Sequence, residues 1–147
     1  MMEKKMRLLL QLALCITLLT ACDKDDEDEK VPVSILVSKS WSPALTDKNK
    51  ASNPPGGVLY SPVPDCQQDD VYNFGADGSL TISEGATKCD PDAPATKTVP
   101  YSYNKDTKEL VIDGFSYTLA EESETQIKYY VPINPSTGYS YLVFLLQ

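Results

Sequence analysis

The sequence predicts an all-β protein in which about eight short strands form a small antiparallel up-and-down β-barrel. Apolar and polar residues alternate with a period of two in several segments after residue 57, and turn-forming residues separate these segments. No stretch after the N-terminal segment shows ten residues of helical periodicity. A meander that closes on itself removes its exposed edges, which favours a barrel. Turns alone do not reveal strand order, so a two-sheet sandwich is the alternative.

The first strong signal is a hairpin over residues 71–82. Residues 71–74 are β-formers, Gly75–Gly78 tolerate positive φ, and Leu80 and Ile82 resume the alternation on the return strand. The segment before it, from Asp47 to Pro64, reads as a loop interrupted by one short strand at 58–60. Loops of this length in small domains are often functional, so we expect it near a binding site.

Five further strands follow in quick succession, at residues 99–103, 109–112, 115–119, 127–131 and 139–146. Asp113-Gly114 between two of them is a strong signal for a two-residue hairpin turn. Pro100 indicates an edge position or a bulge, because proline cannot donate to a strand ladder.

Residues 1–21 predict an export signal that is not part of the fold. A basic start is followed by the apolar run Leu8–Leu19, which is too short for a comfortable transmembrane helix. The following Leu19-Thr20-Ala21-Cys22 resembles the lipobox of bacterial lipoproteins. That resemblance implies that Cys22 is acylated and holds the protein on a membrane. The alternative is an ordinary cleaved signal with an incidental cysteine.

An acidic tether is predicted after the lipidated cysteine, over residues 22–38, before a folded domain at 39–147. Residues 23–30 contain six acids and two lysines, a charge density that cannot bury apolar surface. The run resembles the signal that sends some lipoproteins to the outer leaflet of the outer membrane, which implies a lipid-anchored protein at the cell surface. A plain acidic spacer would have the same composition.

The remaining cysteines predict one disulfide, between Cys66 and Cys89. Cys15 leaves with the signal and Cys22 is the lipid site, so two cysteines remain in the exported domain. An oxidising compartment makes their pairing the default. They flank the 71–82 hairpin, so the disulfide would tie its ends together.

Charge and composition exclude several functions. Without residues 1–21, which hold three of the 13 basic and one of the 21 acidic residues, the net charge is −10, so nucleic acid is not expected as a partner. The chain has no histidine and no predicted free thiol in the folded domain, which removes the usual bases, nucleophiles and metal ligands. We therefore expect no catalytic residues, no metal and no cofactor. A carboxylate hydrolase is the enzymatic alternative, built from Asp65, Asp69 and Asp70, with Asp90 and Asp92 brought close by the disulfide. Solvation of turns and caps for loop amides are the favoured interpretation.

Aromatic residues supply the candidate ligand pocket. Nine tyrosines occur against three phenylalanines, and many stand at period-2 positions of the later strands. The candidate pocket residues are Trp41, Tyr101, Tyr103, Phe115, Tyr117, Tyr129 and Tyr141. Ordinary core and cross-strand packing is the alternative for the tyrosines, and a plug across one end of the core for Trp41.

Taken together, these features resemble the lipocalin-like domains carried by bacterial lipoproteins. The matching residues are Trp41, Asp65-Cys66 followed by Asp69-Asp70, the Tyr72-x-Phe74-x-x-Asp77-Gly78 hairpin, Cys89, and Glu109-Leu110 through Gly114-Phe115 with Tyr117. The resemblance implies a barrel with an interior pocket and a Cys66–Cys89 bridge. If the spaced tyrosines and aliphatic residues of the last five strands point into that pocket, a small apolar or aromatic ligand would suit it. Two rivals remain: a filled barrel that serves an envelope protein complex as an interaction domain, and the carboxylate hydrolase.

Overall fold

A computed structural model describes residues 34–147, and the predicted signal, Cys22 and the acidic residues 23–30 lie outside this range. Eight strands carry the fold, joined by loops and four short 3₁₀ segments (Ile35–Val37, Lys50–Ser52, Asp65–Gln67 and Pro135–Thr137). The strands are β1 (Val58–Tyr60), β2 (Val71–Phe74), β3 (Ser79–Ser83), β4 (Thr96–Asn104), β5 (Glu109–Ile112), β6 (Phe115–Glu122), β7 (Ile127–Pro132) and β8 (Tyr141–Leu146). The all-β prediction is confirmed.

All eight strands belong to one sheet, in the order β1-β8-β7-β6-β5-β4-β3-β2. Strands β2 to β8 form the expected antiparallel meander, while β1 joins the free edge of β8 in parallel. The prediction of a closed barrel is wrong, because β1 pairs with the edge of β8 that β2 would need for closure. The two-sheet sandwich is not observed either.

An extended segment at residues 41–44 spans the gap between the two ends of the meander. Trp41 exchanges two backbone hydrogen bonds with Tyr72 of β2, at 2.9 and 2.7 Å. Ser42 exchanges two with Gln147, at 2.9 and 2.8 Å, just after β8. The Ala44 amide also donates to the Leu145 carbonyl of β8, at 3.0 Å. This short segment therefore bonds to β2 through one residue and to the end of β8 through two, without forming a strand of the sheet.

The turns follow from local backbone preferences. Asp113 and Gly114 both have positive φ, 52° and 82°, as a tight two-residue hairpin requires. Gly78 has a φ of 81° at the end of the β2–β3 turn. Pro100 lies inside the central strand β4 and not at an edge, at the point where the ladder to β3 ends and the ladder to β5 begins.

One face of the sheet carries the hydrophobic core. Its buried members are Leu36, Trp41, Phe74, Leu80, Val99, Leu110, Leu119, Ile127, Tyr129 and Leu146. Leu36 is fully buried in this core, although the sequence predicts residues 22–38 as a tether outside the domain. Its backbone carbonyl accepts a hydrogen bond from the Trp41 indole, at 2.9 Å. The 3₁₀ segment at Ile35–Val37 thus packs with the domain and helps to cover one end of the core.

Candidate functional site

Four of the predicted pocket tyrosines pack on the core face. Tyr129 lies 5.1 Å from Phe144 in a stacked arrangement, and the Tyr117 ring meets both edge-on at 5.2 and 5.6 Å. Tyr101 packs edge-on against Phe74 at 4.9 Å, and its hydroxyl donates to the Gly75 carbonyl. These rings fill space against one another, as the packing alternative predicts.

Tyr103 completes this group through a polar contact. Its hydroxyl donates to Glu122 Oε2 at 3.2 Å. Burial, together with the negative charge of Glu122, raises the pKa of Tyr103 to about 12. The phenol therefore stays protonated at neutral pH and acts as a hydrogen-bond donor.

The other three predicted pocket residues lie apart. Trp41 is 1% exposed and plugs one end of the core, with the ammonium of Lys39 4.2 Å from the centre of its ring. Phe115 is 68% exposed at the start of β6. Tyr141 lies on the opposite face of the sheet from the core, edge-on to Tyr130 at 5.1 Å. The seven aromatic residues therefore do not form one pocket.

A cavity of about 470 Å³, which we call the loop cavity, lies beside the β2–β3 hairpin. Residues lining it include Gln67, Asp70, Tyr72, Ile82, Glu84 and Lys97. A smaller cavity of about 190 Å³ is lined by Gln67 and Tyr72 as well, and by Tyr129 and Phe144. Of the seven predicted pocket residues, only Tyr129 lines either of these two cavities.

Strand register and the disulfide together shape the loop cavity. Tyr72, Ile82 and Lys97 stand directly opposite one another across β2, β3 and β4, so their side chains share one face. The Cys66–Cys89 disulfide forms as predicted, with its Cα atoms 5.0 Å apart. It ties the 3₁₀ segment that carries Gln67 to the 84–95 loop, which contributes Ala93 and Pro94 to the lining.

Two carboxyl groups give the loop cavity its polar side. Asp70 is 6% exposed, and its Oδ1 accepts a hydrogen bond from the Gly85 amide at 3.2 Å. Glu84 Oε2 is buried and makes no hydrogen bond among the described residues, but it forms an ion pair with the ammonium of Lys88 at 3.7 Å. Burial and the negative charge of Asp70 both raise the pKa of Tyr72, which lies between the two cavities. The cavity therefore combines an aromatic and aliphatic wall with side chains of both charges, Asp70, Glu84 and Lys97.

The neighbouring aspartates act within loops. Asp69 Oδ2 accepts from the backbone amides of Ala86 and Thr87, at 2.7 and 3.2 Å. Asp65 accepts from the side chain of Gln68 at 2.9 Å. These contacts are what the interpretation of the acidic residues as loop caps predicted.

A buried polar group on the other face of the sheet was not predicted from the sequence. Lys128 is fully buried on β7, and its ammonium contacts Asp47 at 2.9 Å. It also donates to the Asn49 carbonyl, Ser52 Oγ and Asn53 Oδ1, at 2.5 to 2.9 Å. We call these residues, with Glu121 and Gln126, the Lys128 cluster. They fasten the 47–53 loop to the sheet.

The electrostatics of the Lys128 cluster are those of a compensated buried charge. Burial alone would raise the pKa of Asp47, but hydrogen bonds from Tyr60, Lys128 and Gln126 outweigh it and lower that pKa to about 2. Burial would likewise raise the pKa of Glu121, but hydrogen bonds from Ser52 and Gln126 outweigh it, so that pKa is lowered. One signal could have revealed the cluster: Lys128 interrupts an otherwise apolar strand, Ile127–Val131.

The polar clusters offer no metal site in the part of the chain that the structure describes, since no three His, Cys, Asp or Glu side chains are grouped to hold an ion. Within residues 34–147, no helix has the length and hydropathy needed to cross a membrane. Comparison of the chain with protein-family models, curated proteins and solved structures gave no match.

Proposed function

We propose that this protein is a lipid-anchored binding module of the bacterial outer membrane, exposed at the cell surface, that holds a small apolar or aromatic ligand in the loop cavity. The observation that carries the proposal is the cavity of about 470 Å³ beside the disulfide-tied loop. Small-ligand pockets commonly measure about 300–1,000 Å³ and combine apolar walls with a few polar groups. The loop cavity fits both criteria.

The walls of the cavity favour a ligand with a flat or compact apolar body. Tyr72 and Ile82 provide an aromatic and an aliphatic surface, and Pro94 faces them from the loop. Both Tyr72 and Ile82 pack against the hydrophobic core, so their positions are held from behind. A site supported in this way loses little conformational entropy when a ligand binds.

The anchoring part of the proposal rests on the sequence. The Leu19-Thr20-Ala21-Cys22 motif supports acylation of Cys22, and the acidic residues 23–30 support a solvated spacer between membrane and domain. Metabolic labelling with a fatty acid analogue should label the protein but not the Cys22→Ala variant. Label that persists in the variant contradicts this assignment. Protease treatment of intact cells should remove the domain if it faces outward.

A second candidate is a surface interaction domain without a small-molecule ligand, serving an envelope protein complex. The observation that favours it is the filled aromatic cluster of Tyr117, Tyr129 and Phe144 on the core face, together with the exposed Phe115 ring. Binding of a protein partner that depends on Phe115 and not on the loop cavity would support this candidate.

The loop cavity is tested by filling it. Ala93 lines the cavity, so Ala93→Trp should occupy it without touching the core. Ala86→Trp is the matched control, because Ala86 is an exposed residue of the same loop outside the lining. Native mass spectrometry of protein purified from its own cells should find a retained small molecule in the wild type and in Ala86→Trp, but not in Ala93→Trp. No retained molecule in the wild type contradicts the proposal.

A further inference from the structure

We infer that a second cavity, between the two ends of the meander, binds a small neutral molecule through an oxygen atom that accepts hydrogen bonds from Tyr72 and Tyr129. This cavity is the one of about 190 Å³ described above, which we call the gap cavity. Its lining comes from β2 at one end of the meander, from β7 and β8 at the other, and from residues 61–67 between β1 and β2. The gap cavity is a separate site, because most of its lining takes no part in the loop cavity.

The hydroxyl of Tyr129 is the observation that points to a ligand. Tyr129 is 8% exposed and lines the gap cavity, but its hydroxyl makes no hydrogen bond within residues 34–147. In the same range, Glu84 Oε2 is the one buried side-chain nitrogen or oxygen that lacks a hydrogen bond. The Tyr129 hydroxyl is therefore not sealed inside the protein, and the gap cavity is the space onto which this side chain opens. Buried tyrosine hydroxyls usually have a hydrogen-bond partner, which here has to come from outside the described chain.

The other polar side chains of the lining are in the same condition. The hydroxyls of Tyr72 and Ser61 and the side-chain amide of Gln67 make no hydrogen bond to any described residue. Tyr72 is fixed by its place on β2, and Gln67 belongs to the 3₁₀ segment that the disulfide holds. Four polar groups from separate parts of the fold thus line one space without protein partners, as a binding site for a polar atom requires.

Both phenols are hydrogen-bond donors at neutral pH. Burial raises the pKa of Tyr129, and the neighbouring phenols of Tyr72 and Tyr117 add to this effect. Burial and the negative charge of Asp70 raise the pKa of Tyr72 as well. A carbonyl oxygen has two lone pairs, so one such oxygen can accept a hydrogen bond from each hydroxyl.

The charge of the surroundings selects a neutral ligand. Among the described residues, no acidic or basic side chain lines the gap cavity. A carboxylate ligand would lose its hydration without gaining a cation, and an ammonium ligand would find no carboxylate there. Burial of an unpaired charge is costly, so both are disfavoured. The apolar side chains of Val63, Phe144 and Leu146 instead offer contacts to a hydrocarbon body.

Water alone fits this lining poorly. A water molecule needs about 10–15 Å³ of cavity, so the gap cavity has room for several. Each ordered water makes about two to four hydrogen bonds, whereas the lining has four polar side chains and is otherwise formed by proline, valine, leucine and phenylalanine. One molecule with an apolar body and a single acceptor oxygen uses both the polar and the apolar part of this lining.

The test compares three probes that share one saturated ring: cyclohexanone, cyclohexanecarboxylate and cyclohexylammonium. Each is titrated to about 10 mM into uniformly ¹⁵N-labelled protein, and amide shifts are followed by NMR, since millimolar dissociation constants are readily measured in this range. We expect cyclohexanone to shift the amides of Ser61, Val63 and Phe144, which line the gap cavity and not the loop cavity. It should bind at least about tenfold more tightly than either charged probe.

Two variants assign the binding to the Tyr129 hydroxyl. Tyr129→Phe keeps the ring that stacks on Phe144 and removes only the hydroxyl, so cyclohexanone should bind about fivefold more weakly. Its urea midpoint should stay that of the wild type, because the hydroxyl has no acceptor among the described residues, whereas a purely structural hydroxyl would change the midpoint and not the binding. Tyr139→Phe is the matched control, since it removes an exposed phenol hydroxyl outside the lining and should leave binding unchanged.

Three results would overturn the inference. The first is that cyclohexanone leaves the amides of Ser61, Val63 and Phe144 unchanged, or shifts only those of loop-cavity residues such as Ile82 and Lys97. The second is a charged probe that binds as tightly as cyclohexanone, and the third is equal binding by the wild type and Tyr129→Phe. None of these results bears on the retained-ligand experiment with Ala93→Trp, so the two cavities are decided separately.

Discussion

Replacing Lys128 by methionine should destabilise the protein more than any change to a surface charge. The substitution keeps most of the volume of the side chain but removes an ammonium that contacts Asp47 at 2.9 Å and three further acceptors. The carboxylate left behind is 1% exposed, so it loses its partner without regaining water. Breaking a buried ion pair from one side costs about 3–5 kcal/mol, and we expect about 4 kcal/mol here.

Urea unfolding followed by the fluorescence of Trp41, the single tryptophan, measures this loss. Lys97→Met is the matched control, because that lysine makes a surface ion pair with Asp113 and its side chain is 68% exposed. The control should lose no more than about 1 kcal/mol. A loss below about 1 kcal/mol for Lys128→Met at pH 7 would refute the view of the cluster as a compensated buried charge.

A second substitution separates the ion pair from packing. In Lys128→Met combined with Asp47→Asn, the uncompensated negative charge of Asp47 is gone, so part of the lost stability should return. We expect the double variant to be about 1–2 kcal/mol more stable than Lys128→Met alone. Additive losses from the two changes would show that the pair contributes through packing and not through charge.

The pH dependence of stability gives an independent measure of the same cluster. The pKa of Asp47 falls from 3.8 to about 2 on folding, so this group stabilises the protein above pH 4 by about 2 kcal/mol. That contribution is lost as the pH falls through 2. The Asp47→Asn variant should therefore show a shallower decline of stability between pH 4 and pH 2 than the wild type, measured by urea unfolding.

Two further predictions concern the loop cavity. Replacing Cys66 and Cys89 together by alanine should lower the free energy of unfolding by about 3 kcal/mol, since the disulfide spans 23 residues. A urea unfolding midpoint close to that of the wild type would contradict this. Gly85→Ala should cost about 1–3 kcal/mol, because a Cβ there would overlap the Asp69 carboxyl group, which caps this loop. An unchanged thermal midpoint would show that the Asp69 side chain moves aside freely.

Much of the strand pattern was readable from neighbouring residues. The two-residue turn at Asp113-Gly114 and the 71–82 hairpin appear as predicted, since both depend on local φ preferences and a period-2 alternation. The pairing of Cys66 with Cys89 was predictable as well, because they flank one hairpin. Pro100 was misplaced, because the partners of a strand change along its length and a proline can lie at that point.

The site was harder to predict than the strands. Aromatic residues at alternate positions predicted a lined pocket, but the same pattern arises when rings pack against one another, as Tyr117, Tyr129 and Phe144 do. The residues that line the loop cavity are of mixed type and lie on strands, a 3₁₀ segment and a loop. No single stretch of sequence carries that combination.

The all-β class, the number of strands and the disulfide followed from the sequence alone, because alternation, turn chemistry and cysteine count act within or between adjacent segments. The open sheet depends on tertiary contacts, since closure requires β2 to pair with the edge of β8, and β1 occupies that edge instead. The tertiary structure also decided that Lys128 is buried with Asp47, 81 residues earlier in the chain. A charged residue on a strand is ordinarily solvated, and the 47–53 loop that encloses this one is placed by contacts that no local pattern records.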